Sequence, residues 1–83
     1  MFYKHDFIES NQEIIDKEVK EVIEAITERL KKNGYYKGDF NFDTPSGVVI
    51  AVAGEVKYEI EGWGWNVTVD VQASQQNIKF EIQ

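Results

Sequence analysis

The chain predicts an α+β fold: one long N-terminal amphipathic helix packed on a four-stranded antiparallel β-meander in the order 1-2-3-4. Three observations predict it. Apolar residues recur at 3-4 spacing from Ile15 to Leu30, the period that keeps one face of a helix inward. After Gly34, the apolar residues keep one alternating frame per segment. Phe40, Phe42, Val48, Ile50, Val52, Val56, Tyr58 and Ile60 are even, Trp65, Val67, Val69 and Val71 odd, and Ile78, Phe80 and Ile82 even. Successive strand side chains face opposite ways, so such a frame marks strands with one buried side. Turn-forming residues separate the segments, as hairpin connections require.

Residues 1–9 carry Phe2, Tyr3, Phe7 and Ile8. They are too apolar for a free tail and are a candidate for a short extra edge strand. Ser10 and Glu13 have capping-box spacing, in which each side chain satisfies the other's free backbone N–H. The helix then spans about 11–33, with Ile15, Val19, Val22, Ile23, Ile26 and Leu30 as its stripe and Ile14 on the flank. Glu13/Lys17, Asp16/Lys20 and Glu28/Lys32 are i,i+4 pairs in the favoured order. Arg29, Lys31 and Lys32 suit the negative end of the helix dipole, and Gly34 is the expected left-handed cap.

Strands are expected at about 38–43, 48–61, 64–73 and 77–82. A turn over Asp43–Gly47 sets Phe42 opposite Val48 and Phe40 opposite Ile50. A hairpin at Gly62-Trp63 pairs Ile60 with Trp65, Tyr58 with Val67, and Val56 with Val69. A turn at Ser74-Gln75 pairs Val71 with Ile78, Val69 with Phe80 and Val67 with Ile82, and places Asp70 opposite Lys79. A one-residue slip would throw every apolar side chain to the wrong face, so the register is strongly specified. Gly54, midway along residues 48–60, is the expected site of a bend or bulge.

Eighty-three residues without cysteine form one domain, 1–83, with neither disulfides nor thiolate metal sites. A core this small makes self-association a reasonable supplement. The net charge of −6 divides as −2 up to Asn33 (eight acids, six bases) and −4 after it (seven acids, three bases). Acidity argues against nucleic acid and against anionic membranes as partners. No apolar run approaches the roughly 20 residues that span a bilayer, and the N-terminus is too polar for a secretory signal. The expectation is a cytoplasmic protein.

Chemistry-bearing residues are sparse. His5 is the one histidine, so a Ser-His-Asp triad would rest on a terminal base. The carboxylates are dispersed, and no metal or cofactor is expected. Glu55 opposite Asp70 would be a like-charge pair on the polar sheet face, relieved by Lys57 and Lys79. Gly62-Trp63-Gly64-Trp65 lacks the spacing of a phosphate loop. Trp65 belongs to the core by frame. Trp63 falls at a hairpin tip, folded back on the sheet or offered to a partner, where tryptophan is a frequent hot spot. Asn66-Val67-Thr68 matches a glycosylation sequon with no signal peptide ahead of it.

The string from Gly47 through Gly54 to Gly62, followed by Trp65-Asn-Val-Thr-Val-Asp-Val71, resembles small uncharacterised proteins of phages and mobile elements of gut bacteria. The resemblance covers the strand half only, and it implies a setting and no site.

Val49, Ala51 and Ala53 make the second face of the long strand apolar. That patch and Trp63 are the expected partner-binding residues. The resulting expectation is a non-catalytic protein-interaction module, self-associating as a homodimer or serving as accessory protein of a mobile element. The alternative is a small-ligand-binding protein or enzyme with a pocket between helix and sheet near Gly54, Tyr36 and Tyr58.

Overall fold

The computed structural model describes all residues, Met1–Gln83. Its elements run α1 (Lys4–Ser10), α2 (Gln12–Asn33), β1 (Tyr36–Asn41), α3 (Ser46–Glu61), β2 (Val67–Gln72), a 3-10 turn (Ala73–Gln75) and β3 (Asn77–Ile82). The fold is α+β with an antiparallel sheet, as the patterning indicated. The sheet has three strands in the order β1-β3-β2, however, and residues 46–61 are helix. β1 and β2 both pair antiparallel to β3. They therefore run parallel to each other with β3 between them, a split β-α-β arrangement.

The long helix is where its periodicity placed it. Ile15, Val19, Val22, Ile26 and Leu30 are buried, Ile23 is half-buried, and Ile14 is exposed. Gly34 ends the helix at φ 67°, its N–H bonding the Leu30 carbonyl at 2.9 Å. The N-terminal boundary differs. Ser10 closes α1 and donates its hydroxyl to the Asp6 carbonyl at 2.8 Å instead of capping α2. Asn11 alone separates the two helices, its side-chain amide bonding the Phe7 carbonyl at 2.9 Å. Residues 4–10 thus form a short helix ahead of α2, and no edge strand is present there. None of the three expected i,i+4 pairs closes within 4 Å; the one basic–acidic side-chain contact at that range is His5 Nε2–Asp6 Oδ1, at 3.3 Å.

The main correction is α3. Val48, Val52, Val56 and Ile60 recur every four residues, with Val49 and Ala53 beside them, and all six are buried. Four is a multiple of two, so this row satisfies a strand frame and a helical face equally. The even positions between them show which period is realised: Val52 is 0% exposed, whereas its neighbour in the frame, Ile50, is 51% exposed. A strand would bury both. Sixteen residues also exceed the usual strand length. Pro45 precedes the first turn, where its carbonyl accepts from Val48 and Val49, and Ser46 Oγ donates to the Ala73 carbonyl at 2.8 Å. The expected pairings of residues 40–42 with 48–50, and of 56–60 with 65–69, are consequently absent.

The last hairpin matches its expected register throughout: Val71↔Ile78, Asp70↔Lys79, Val69↔Phe80 and Val67↔Ile82. Its reversal uses the 3-10 turn plus Gln76 at φ 53°. β1 occupies the other side of β3, with Phe40 opposite Ile78 and Tyr36 opposite Ile82. One sheet face carries Phe40, Val67, Val69, Val71, Ile78, Phe80 and Ile82 and lies in the core with α2 and α3. At Gly38 the strand has no side chain to obstruct Tyr36, whose Oη would lie 2.7 Å from a Cβ there. The Tyr36 ring extends along the strand toward Phe40 (centroids 6.1 Å), which meets Phe80 edge-on at 5.9 Å.

Candidate interaction surfaces

The second sheet face is uncovered and polar. Its cross-strand rows are Lys37–Glu81–Thr68, Asp39–Lys79–Asp70 and Asn41–Asn77–Gln72. Lys79 thus stands between two carboxylates, and opposite charges alternate across each charged row, an arrangement that favours pairing. Asn77 is buried, and its amide bonds Asp39 Oδ2 and Asn41 Oδ1, both at 2.9 Å. Tyr35 Oη donates to Glu81 Oε2 at 3.0 Å. Desolvation first, then the Glu81 hydrogen bond and charge, push the Tyr35 phenol above its ordinary value. Tyr36 is also raised, by desolvation, with Arg29 opposing and Asp39 adding. The rows leave a shallow concavity of about 430 Å³.

The partner-binding residues named from the sequence are dispersed. Val49 and Ala53 are 0% and 2% exposed and belong to the core, while Ala51 is half-buried. With residues 46–61 helical, they never shared an outer strand face, so the apolar patch does not exist as such. Glu55 lies on α3, beside α2, and Asp70 on the uncovered sheet face; the like-charge pair is not formed. Gly54 lines a depression between α3 and the α1–α2 segment, Tyr58 one at the C-terminal end of α3, and neither shares one with Tyr36. The pocket expected between helix and sheet from these three residues is therefore not assembled.

Trp63, expected at the tip of a strand hairpin, lies instead in the turn that follows α3 and is 55% exposed. Trp65 is half-buried against the core, as its frame indicated. Tyr58 was the residue missed. Its even number suggested the core, yet it is 78% exposed and lies beside Trp63. Together with Glu59, Glu61 and Gly62 these aromatics line a hollow of about 510 Å³ at the C-terminal end of α3. The last turn of α3 holds no basic residue. Two carboxylates therefore sit at the end of a helix where cations are preferred. A helical reading of Tyr58, five residues before Trp63, is the signal that would have found this hollow.

At the opposite end, Phe2 and Tyr3 are exposed, while Phe7 and Ile8 pack on the core. His5 is stacked on Tyr3 at 5.5 Å and lies 3.3 Å from Asp6 Oδ1. No cluster of three or more His, Cys, Asp or Glu side chains converges as a metal site. No helix is long and apolar enough to cross a membrane.

The comparisons supply no relative. No family model, no curated protein and no solved structure matches this chain.

Proposed function

We infer that the protein is a non-catalytic interaction module that acts in the cytoplasm and engages a cationic segment of a protein partner through the Tyr58–Trp63 hollow. One observation carries this reading. Two large aromatic side chains stand exposed beside Glu59 and Glu61, at a helix C-terminus that lacks any basic residue. Aromatic faces attract Lys and Arg side chains, most strongly for tryptophan, and the carboxylates and helix dipole add to the same field. The chain's charge of −6 steers such a partner and repels nucleic acid. Service as an accessory protein of a phage or mobile element belongs to the same proposal and rests on the residue 47–71 resemblance.

The test uses two synthetic peptides of equal length, one rich in Arg and Lys and one rich in Asp and Glu. The basic peptide is expected to perturb tryptophan fluorescence saturably and to bind more weakly as salt rises. Trp63→Ala and Tyr58→Ala should each weaken it by roughly tenfold, about 1.4 kcal/mol, with the far-UV spectrum unchanged. Equal response to both peptides, or unaltered affinity in Trp63→Ala, would overturn the reading.

A further inference from the structure

The two edges of the sheet are not alike. Asn66 and Gln83 exchange both backbone bonds, at 2.7 and 3.0 Å. They sit one step beyond the Val67↔Ile82 pair. Bonded and non-bonded pairs alternate along an antiparallel ladder, so Thr68, Asp70 and Gln72 are the residues that bond β3. The N–H and C=O groups of Val67, Val69 and Val71 consequently point outward across the free edge. On the other side, the Phe42 N–H bonds the Gln76 carbonyl at 2.9 Å. By the same alternation, Lys37, Asp39 and Asn41 present the outward groups of β1.

The β1 edge is guarded. Charged side chains and glycine along an edge discourage strand addition, and it carries Lys37, Gly38 and Asp39. The β2 edge reads Val-Thr-Val-Asp-Val, without lysine, proline, glycine or bulge. Val69 and Val71 are only half-buried in the isolated chain. Both the open hydrogen-bonding row and the unfinished apolar layer end at the same strand.

We propose that β2 is the docking edge for a second copy of this chain, added antiparallel about a two-fold axis through Val69. Three facts select that register. Outward groups must meet outward groups, and this axis joins all three: Val67 to Val71 of the second copy, Val69 to Val69, and Val71 to Val67. Thr68 then faces Asp70 of the second copy in both symmetric positions, and a threonine hydroxyl can donate to the carboxylate. An axis shifted to Asp70 sets carboxylate against carboxylate and loses a bonded pair; one shifted to Thr68 loses a pair with no gain. The product is a six-stranded sheet whose Val67, Val69 and Val71 rows run on beneath α3 of both copies. This surface is separate from the Tyr58–Trp63 hollow, and either proposal can fail without the other.

The absence of cysteine makes the register directly testable. In the proposed dimer Thr68 and Asp70 of the second copy form a non-bonded pair with Cα atoms about 4.5 Å apart, within disulfide reach. The double variant Thr68→Cys/Asp70→Cys should oxidise to a covalent dimer, whereas Lys37→Cys/Asp39→Cys on the other edge should not. By light scattering, wild type should show twice the 9.6 kDa chain mass. Thr68→Glu should weaken the dimer by roughly tenfold or more, and Thr68→Lys should retain it, both with unchanged far-UV spectra. Wild-type protein that stays monomeric at high concentration overturns the proposal. So does a dimer indifferent to Thr68→Glu, or cross-linking equal at both edges.

Discussion

A Cβ added to Gly47 would stand 2.7 Å from the ring of Phe7. Close approach at this glycine is what lets α1 lie against the first turn of α3. Gly47→Ala gains helix propensity of about 1 kcal/mol but forces the ring aside, and overpacking of this kind costs about 1–3 kcal/mol. The single substitution is expected to destabilise in a urea titration and to raise amide exchange over residues 4–10. In a Phe7→Ala background the same substitution should become stabilising by about 0.5–1 kcal/mol, a sign change that a double-mutant cycle reads directly.

Gly54 gives the opposite expectation. It lies inside α3 with no atom within 4 Å of a built Cβ. Gly54→Ala should therefore stabilise by about 0.5–1 kcal/mol, raising Tm by about 2–8 °C. A lower Tm would show that residues near 54 are not regular helix.

Ile50 and Val52 separate the two readings of residues 46–61. Val52 is fully buried in the core cluster and Ile50 is half exposed. Val52→Asp is expected to abolish cooperative unfolding, because a buried unpaired carboxylate costs several kcal/mol. Ile50→Asp should cost about 0.5 kcal/mol or less. Comparable loss in both variants, measured by chemical denaturation, would favour a strand.

Alkaline titration probes the open sheet face. Tyr35 and Tyr36 both ionise above the ordinary value of 10.0, so two of the four tyrosines should deprotonate late by ultraviolet difference absorbance. A phenol whose folded pKa is raised contributes stability in full below its unfolded pKa, about 10, and loses it as pH climbs through the folded value. Glu81→Gln removes the charge that Tyr35 faces and should bring that phenol down toward 10.0. A Tyr35 titration unmoved by this change would mean the Glu81 contact is not populated.

The candidate surfaces were less legible than the elements. Trp63 between two glycines could fold back or stand free, and only the fold left it 55% exposed. Tyr58, Val49 and Ala53 could not be assigned, since their exposure depends on whether the segment turns every two residues or every 3.6. The free β2 edge was hidden for a related reason. A meander in order 1-2-3-4 would have covered that strand on both sides, whereas the observed order leaves it at the rim.

Local chemistry determined α2 and the β2–β3 hairpin. In the first, six apolar positions admit no strand frame; in the second, a short connection ties alternation on one strand to alternation on the next. Tertiary structure decided α3 and the place of β1. Apolar residues four apart satisfy two periods at once, so the ambiguity was settled by what they could be buried against. As a helix, residues 46–61 cover one side of three strands together with α2. That crossover returns the chain to the sheet parallel to β1 and leaves β3 to fill the space between.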